Sequence, residues 1–254
     1  MNRTVQIALI SIVILLAANA SAGIITKTVE YTHEGVTLEG YLAYDDTTSL
    51  KKPGILVVHQ WKGLTEYERM RARMLAGMGY VAFAADIYGK GVRPRDNKEA
   101  ASLATVYRKD RKLMRARARA ALDELLKLPQ ADPRRTAAIG YCFGGTVALE
   151  LARDGADMDG FVTFHGGLDT PTPGDAKNIK GKVLALHGAA DESVTPEHVA
   201  AFQKEMSDAG VDWYMSIYAY APHAFTQEGP RYNGPADRRS WQEMQLFFDE
   251  LFGK

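Results

Sequence analysis

Short segments that are almost wholly apolar alternate with segments of helical periodicity along most of this chain. The clearest apolar segments lie at 55–59, 80–85, 160–164 and 183–186. A continuous apolar run is typical of a strand that is covered on both faces, because a half-exposed strand would alternate polar and apolar residues. Strands that alternate with helices form βαβ units, which pair in parallel. The pattern therefore predicts an α/β fold with a mostly parallel central sheet and helices on both faces.

The first strands and the longest helix depart from this simple alternation. Two alternating segments, TKTVEYTH and VTLEGYLAY, flank Glu34-Gly35 and predict an antiparallel N-terminal hairpin at one edge of the sheet. Residues Asp96 to Leu128 are predicted to form one long helix that Pro129 stops. The chain has 254 residues, and no repeat, low-complexity tract or long linker divides it. We therefore expect a single domain over residues 23–254.

Residues 1–22 have the features of a secretory signal peptide. Arg3 supplies a positive charge, residues 7–18 are almost wholly apolar, and residues 20–22 (Ala-Ser-Ala) supply small residues for cleavage. The apolar run is shorter than the ~20 residues that span a bilayer. An uncleaved membrane anchor is the alternative. The signal predicts a secreted or periplasmic protein with no stable membrane insertion after cleavage.

The exported protein is predicted to begin at Gly23, because the small-residue pattern places the cleavage after Ala22. N-terminal sequencing of the protein recovered from the periplasm or the medium checks this expectation. A recovered chain that retains residues 7–18 would support the anchored alternative instead.

Charge and cysteine content exclude several classes of function. The 31 Lys and Arg residues balance 31 Asp and Glu residues, so no overall field attracts nucleic acid or an anionic membrane. Segment 108–119 holds seven basic residues in twelve, which we interpret as a solvated helix face rather than a nucleic-acid patch. One cysteine excludes an intramolecular disulfide and multi-cysteine metal sites. The histidines lack metal-binding spacing, so we expect no metal and no cofactor.

The hexapeptide GYCFGG at 140–145 is the strongest local signal for chemistry. It lies between an apolar strand and a helix and matches the G-x-nucleophile-x-G elbow, with Cys142 at the nucleophile position. So sharp a turn brings the flanking residues close together, and only glycine at Gly140 and Gly144 leaves room. Cys142 should therefore have a strained backbone and project at the N-terminus of a helix, whose dipole favours a thiolate. A Gly-rich turn with an incidental buried cysteine is the alternative.

Two residues follow Cys142 in the order that such an elbow requires. Asp191 lies 49 residues after Cys142, just beyond a buried strand, and His223 lies another 32 residues on, beyond the next strand. Because the carboxyl ends of parallel strands share one edge of a sheet, the three side chains should meet there. His223 would take the thiol proton, and Asp191 would orient the imidazole. Each residue alone would be interpreted as a helix cap or a loop histidine.

A triad of this kind also needs donors for a developing oxyanion. One is the backbone N–H of Phe143, which follows the nucleophile. We assign the other to the backbone N–H of Trp61, in the loop after the 55–59 strand. The Trp61 side chain would cover the pocket, and Tyr88 would either line it or pack in the core. His59 and His165 each end a strand nearby, and we assign them structural hydrogen bonds.

Five segments together resemble the dienelactone hydrolase family of α/β-hydrolases. They are VVHQWKGL (57–64), AADIYGKG (84–91), GYCFGG (140–145), LHGAADESVTP (186–196) and APHAF (221–225). The resemblance implies the α/β-hydrolase fold and a Cys-His-Asp triad on Cys142, His223 and Asp191. It also implies hydrolysis of a small-molecule lactone or ester through an acyl-thioester intermediate.

Two positions depart from the family pattern. Gln60 stands where well-known members carry a Glu that helps control thiol protonation, unless the Gln60 side chain simply points into solvent. Gln227 stands where those members carry an Arg that binds the substrate carboxylate, and Arg93, Arg95 or Arg231 are the candidates to replace it. The predicted substrate-binding residues are Gln60, Tyr88, Arg93 and Gln227.

These departures keep a second function open, a catalytically weak module that binds small cyclic esters on the same scaffold. A thiol-redox protein is the weakest alternative, because the chain has no second cysteine to resolve a disulfide. The intact set of Cys142, Asp191 and His223 favours the hydrolase.

Overall fold

The computed structural model describes residues 23–253, so the predicted signal peptide lies outside the described residues. The strands in chain order are β1 (Ile24–His33), β2 (Val36–Asp45), β3 (Lys52–Val58), β4 (Val81–Ala85), β5 (Ala131–Tyr141), β6 (Gly160–Phe164), β7 (Lys182–Ala190) and β8 (Trp213–Pro222). The α-helices are α1 (Glu66–Gly77), α2 (Asn97–Lys109), α3 (Arg111–Lys127), α4 (Phe143–Arg153), α5 (Pro196–Asp208) and α6 (Gly234–Phe252). A short 3₁₀ helix spans Pro173–Asn178.

All eight strands belong to one sheet with the order β1-β2-β4-β3-β5-β6-β7-β8. The β1–β2 hairpin is antiparallel, and β2 joins β4 in the antiparallel sense. Every other neighbouring pair, from β4 through β3 to β8, is parallel. The predicted fold class, a mostly parallel sheet with an antiparallel N-terminal hairpin, is confirmed.

The side chains of β3 show why the sheet must be covered on both faces. Leu56 and Val58 pack in the core beneath α3 and α4, whereas Ile55 and Val57 pack on the opposite face against α1 and α6. None of these four side chains is exposed to solvent. Because successive residues of a strand point to opposite faces, an unbroken apolar run is what two helical layers require.

The prediction of a single helix over 96–128 is wrong, because the structure has two helices that are separated by one residue. Asp110 has φ −110° and ψ 80°, which is not helical, and it separates α2 from α3. Its carboxylate accepts a hydrogen bond of 2.9 Å from the Leu113 N–H and so caps α3. An aspartate competes for nearby backbone amides and is unfavourable inside a helix, which explains the break.

The basic segment 108–119 is not the solvated face that its composition predicts. Arg117 is buried, and three other arginines of the segment pair with acidic side chains of α4 or the loops after it. These pairs are Arg111–Asp169, Arg115–Glu150 and Arg119–Asp154. The segment therefore joins α3 to α4.

No helix within residues 23–253 is long and apolar enough to cross a membrane.

The topology places four loops at one edge of the sheet. The strands β3, β5, β7 and β8 are parallel, so the segments that follow them emerge at their common carboxyl end. These segments contain Gln60, Cys142, Asp191 and His223. Residues that are far apart in the sequence are thus brought to one place.

Candidate active site

The backbone at Cys142 is held in an unusual conformation by close packing. Cys142 has φ 53° and ψ −115°, a strained combination for a residue with a side chain. A Cβ atom at Gly140 would lie 1.9 Å from the Gly144 carbonyl oxygen, as the steric argument from sequence requires. A Cβ atom at Gly144 would lie 2.2 Å from the Val58 carbonyl oxygen instead. Gly144 therefore allows the turn to pack against the end of β3.

The Cys142 sulfur lies at the base of a cavity and contacts a histidine. Cys142 is only 7% exposed, so the thiol is more enclosed than a residue at an open turn. Its sulfur lies 3.1 Å from His223 Nε2. This distance is within hydrogen-bonding range of a sulfur atom.

The other nitrogen of His223 is fixed by a buried carboxylate. His223 Nδ1 lies 2.8 Å from Asp191 Oδ2, and the Asp191 side chain is fully buried. The second carboxylate oxygen, Asp191 Oδ1, accepts backbone hydrogen bonds of 2.9 Å from Ser193 and 3.2 Å from Val194. An ionised Asp191 only accepts hydrogen bonds, so Nδ1 carries a proton and Nε2 faces the sulfur.

The surroundings of His223 favour its charged form. Burial alone would lower the pKa of His223, but the hydrogen bonds to Asp191 and Cys142 and the attraction of their charges outweigh burial. Together they raise the pKa of His223 to about 10. Burial likewise opposes ionisation of Asp191, yet the hydrogen bond and charge of His223 lower the pKa of this carboxyl. The site therefore holds an imidazolium beside the Cys142 sulfur at neutral pH.

Two backbone amides beside Cys142 are available to a ligand. Phe143 is the first residue of α4, and the first amides of a helix have no acceptor within the helix. The Trp61 N–H donates to no protein acceptor within residues 23–253. Trp61 and Cys142 line the same cavity. Both amides assigned from the sequence are thus near the sulfur and unoccupied by protein acceptors.

The cavity above Cys142 has a volume of about 690 Å³. Among the predicted substrate-binding residues, Gln60 and Gln227 line it, and Gln60 is only 4% exposed. Tyr88 and Arg93 do not line it. Tyr88 is buried behind the loop, where its hydroxyl donates to the Trp61 carbonyl oxygen at 3.0 Å. The Arg93 guanidinium donates to the carbonyl oxygen of its neighbour Val92 instead.

Four cationic side chains line the cavity, and only Arg231 among them is a binding candidate predicted from the sequence. The other three are Lys62, Arg108 and Arg111. Arg108 and Arg111 flank the break at Asp110, so a prediction of one continuous helix gave no reason to place them at a site. Arg111 is 10% exposed and pairs with Asp169 at 3.1 Å, which leaves it partly neutralised.

A further buried histidine, His165, contacts the nucleophile through its backbone. His165 Nδ1 accepts a 3.2 Å hydrogen bond from the Cys142 N–H, and Nε2 lies 2.8 Å from Thr226 Oγ1. Burial and the neighbouring His223 lower the pKa of His165 well below its usual value. This histidine is therefore neutral, with its proton on Nε2. The structural role assigned to His165 from sequence agrees with these contacts.

Residues 23–253 contain no group of three or more His, Cys, Asp or Glu side chains that could hold a metal ion. The site brings together the Cys142 sulfur, the His223 imidazole and two backbone amides that have no protein acceptor within residues 23–253.

The chain is similar to known proteins over most of its length. The model of the dienelactone hydrolase family matches residues 38–252. Protein usf of Aquifex pyrophilus is 30% identical over 230 residues, covering 87% of this chain and 97% of the relative.

Two solved structures are more similar still. The structure of m3DLH has 41% sequence identity and a TM-score of 0.87, covering 90% of this chain and 99% of that one. A dienelactone hydrolase-like promiscuous phosphotriesterase from metagenomic libraries has 37% identity and a TM-score of 0.85, covering 90% of this chain and 98% of that one. The chain therefore belongs to the dienelactone hydrolase family, and as a member it is a carboxylic-ester or lactone hydrolase.

Proposed function

We propose that this protein cleaves a small carboxylic ester or lactone with Cys142 as nucleophile, His223 as general acid and base, and Asp191 as the group that orients His223. The observation that carries the proposal is the chain of contacts from the sulfur through His223 to Asp191, at 3.1 Å and 2.8 Å. A nucleophile, a base within hydrogen-bonding distance and an orienting carboxylate are the parts that covalent acyl transfer requires.

Acylation begins with the thiolate of Cys142 facing the imidazolium of His223. The sulfur attacks the carbonyl carbon of the substrate, and the carbonyl π electrons move to oxygen. The Trp61 and Phe143 N–H groups stabilise this oxyanion. The intermediate then collapses, the C–O bond of the leaving alcohol breaks, and His223 Nε2–H protonates the departing oxygen. An acyl thioester on Cys142 and a neutral His223 remain.

Hydrolysis of the thioester reverses these roles. Neutral His223 accepts a proton from water, and the water oxygen attacks the thioester carbonyl carbon. The second oxyanion forms at the same two amides, and its collapse breaks the C–S bond. The carboxylic acid leaves, and the thiolate–imidazolium pair is restored. For a lactone, the leaving alcohol stays attached to the acyl group, so one product carries both the hydroxyl and the carboxylate.

The charges of the cavity support a substrate with an anionic group. Lys62, Arg108, Arg111 and Arg231 face two acidic lining residues, Asp169 and Glu228. An excess of cationic side chains in a cleft attracts anions and holds carboxylates in place. We assign this role to Arg111 and Arg231, since Gln227 has no charge to supply.

We also propose that the protein acts outside the cytoplasm, as the sequence of residues 1–22 suggests. A binding module that does not turn over esters is the alternative function. The paired sulfur and imidazole argue against it, because binding alone requires neither a charged histidine nor a carboxylate behind it.

The first test measures ester turnover. Wild-type protein should hydrolyse p-nitrophenyl acetate, and Cys142→Ala should lower kcat by roughly 10³-fold or more, the order lost when a catalytic nucleophile is removed. An anionic ester, the p-nitrophenyl monoester of succinic acid, should have a lower KM than the acetate. Arg111→Gln and Arg231→Gln should raise KM for the anionic ester and leave KM for the acetate unchanged.

Thermal unfolding of each variant is the control for this test. Turnover by Cys142→Ala at the wild-type rate would refute the proposed mechanism. Binding of both esters by wild-type protein without any hydrolysis would support the binding-module alternative. Equal KM values for the two esters in wild type and in all variants would contradict the proposal that the substrate carries an anionic group.

A second prediction concerns the reactivity of Cys142 without substrate. His223 keeps its proton up to its raised pKa of about 10, so the imidazolium faces the sulfur from pH 6 to 9. Alkylation of wild-type protein by iodoacetamide should therefore depend less on pH over this range than alkylation of a thiol without a cationic neighbour. In His223→Ala the rate should rise steeply with pH, and at pH 7 it should be about tenfold below wild type.

Asp191→Asn should give an intermediate profile, because His223 loses the carboxylate that stabilises its charge. His187→Gln is the matched control, since His187 is a nearby histidine without a hydrogen bond to Cys142, and its profile should follow wild type. Coincident profiles for wild type and His223→Ala would show that His223 does not control the thiol.

A third prediction concerns Gln60, which lines the cavity with Cys142 and is nearly buried. In Gln60→Glu a carboxylate enters the same cavity and opposes formation of a thiolate. Alkylation at pH 7 should slow several-fold to about tenfold, a change of roughly 1 kcal/mol. Inactivation by hydrogen peroxide should slow in parallel, because the thiolate is the oxidised species. The neutral Gln60→Met should alkylate at the wild-type rate, and an equal rate in Gln60→Glu would contradict the prediction.

A further inference from the structure

The carbonyl group of Gln60 is held by a buried histidine from the end of β3. His59 Nδ1 lies 2.6 Å from the Gln60 carbonyl oxygen, and the Gly63 N–H donates to the same oxygen at 3.1 Å. The His59 ring is completely buried. It packs edge-on against Tyr88, with ring centroids 4.6 Å apart, and stacks on Phe143 at 5.9 Å. The ring therefore has one fixed orientation.

The protonation of His59 follows from its two hydrogen bonds. Its Nε2 accepts a 3.1 Å hydrogen bond from the Ile87 N–H, so this nitrogen carries no proton. The proton of the neutral ring must then be on Nδ1, which donates it to the Gln60 carbonyl oxygen. Burial lowers the pKa of His59, in agreement with a neutral ring. His59 Nδ1–H is thus the donor, and the Gln60 carbonyl oxygen is the acceptor.

This hydrogen bond fixes the direction of the Trp61 N–H. The Gln60 carbonyl and the Trp61 N–H belong to one planar peptide group, and no peptide bond within residues 23–253 is cis. In a trans peptide the C=O and N–H bonds point in opposite directions. Because the carbonyl points at the buried His59 ring, the N–H points away from it, towards the cavity that Trp61 and Cys142 line.

The peptide group on the other side of Trp61 is held as well. The Tyr88 hydroxyl donates to the Trp61 carbonyl oxygen at 3.0 Å. The Gln60 N–H donates to the buried carboxylate of Glu68 at 3.1 Å. The loop is therefore held by side chains from the residue after β3, from the segment after β4 and from α1.

We propose that His59 and Tyr88 are positioning residues that aim the Trp61 N–H at the oxyanion of the bound reaction intermediate. The proposal rests on the hydrolase function proposed above. An amide that is already oriented needs no reorganisation when charge develops, which is the main advantage of an enzyme site over water. Donation from His59 to the carbonyl also polarises the peptide group and makes its N–H a stronger donor.

A reversible ketone adduct measures this role separately from turnover. The thiolate of Cys142 adds to the carbonyl carbon of phenyl trifluoromethyl ketone, an S–C bond forms, and the π electrons move to the oxygen. The resulting oxyanion has no leaving group and stays in the oxyanion hole. Iodoacetamide attacks the same thiolate but forms no oxyanion. The two reagents therefore separate stabilisation of the oxyanion from reactivity of the sulfur.

The test compares Tyr88→Phe, His59→Leu and His59→Asn with wild type. Tyr88→Phe should weaken ketone binding about tenfold, which is less than the roughly 10² to 10³ lost with a whole oxyanion donor. Its kcat on p-nitrophenyl acetate should fall by the same factor, while KM and the alkylation rate stay within about twofold of wild type. His59→Leu should show a larger loss, and His59→Asn should recover part of it, because its amide keeps a donor close to the Nδ1 position.

Tyr107→Phe is the matched control. Tyr107 belongs to the same aromatic cluster, but its hydroxyl donates to the Tyr88 carbonyl oxygen at 3.3 Å and not to the loop. Ketone binding by this variant should equal that of wild type.

Three outcomes would overturn the proposal. In the first, Tyr88→Phe and His59→Leu bind the ketone as tightly as wild type. In the second, ketone affinity, alkylation rate and thermal stability all fall together in the variants. In the third, wild-type protein forms no ketone adduct. If wild-type protein turns over no ester but the variants lose ketone affinity selectively, the positioning role stands and the proposed hydrolysis fails. If wild-type protein hydrolyses esters and the variants keep wild-type ketone affinity, the proposed hydrolysis stands and the positioning role fails.

Discussion

The site depends on one close approach of backbone to backbone. The carbonyl of Gly144 fills the space where a side chain of Gly140 would be, and the end of β3 fills the space beside Gly144. This packing leaves Cys142 in a strained conformation at the start of α4 and places its sulfur at the carboxyl edge of the sheet. Because β3 and β5 are neighbours, the same contact brings the loop that follows β3 next to the sulfur. Backbone geometry thus positions both the proposed nucleophile and the proposed oxyanion donors.

Three histidines surround this point, and their neighbours give them different states. His223 faces a buried carboxylate and a sulfur, so its charged form is stabilised in spite of burial. His59 and His165 each accept a backbone N–H, and burial lowers the pKa of both rings, although the carboxylates of Glu68 and Asp86 oppose this effect at His59. In the proposed mechanism the charged histidine exchanges protons with the substrate, whereas the neutral pair forms hydrogen bonds to the backbone of the loop after β3 and of Cys142. One type of side chain therefore supplies both the chemistry and its scaffold.

The structure corrects two kinds of prediction, one about a helix and one about side-chain direction. The sequence predicts a continuous helix across Asp110, because a single polar residue changes a periodic pattern very little. The bend at Asp110 is what brings Arg108 and Arg111 to the cavity, so both were missed as binding residues. Tyr88 and Arg93 follow β4 at the correct edge of the sheet, but proximity in the fold does not decide which way a side chain points. Tyr88 faces a backbone carbonyl behind the loop instead of the cavity.

The sequence alone determined the layered fold, the elbow and the order of Cys142, Asp191 and His223, because hydrophobic period and glycine sterics are local and leave few alternatives. Only the tertiary structure decided the protonation of each histidine, the direction of the Trp61 N–H and the charge of the cavity. Those properties depend on groups from strands and helices far apart in the chain, at distances of about 3 Å. No pattern within a single segment encodes such contacts, since they exist only after the sheet and its two helical layers have assembled.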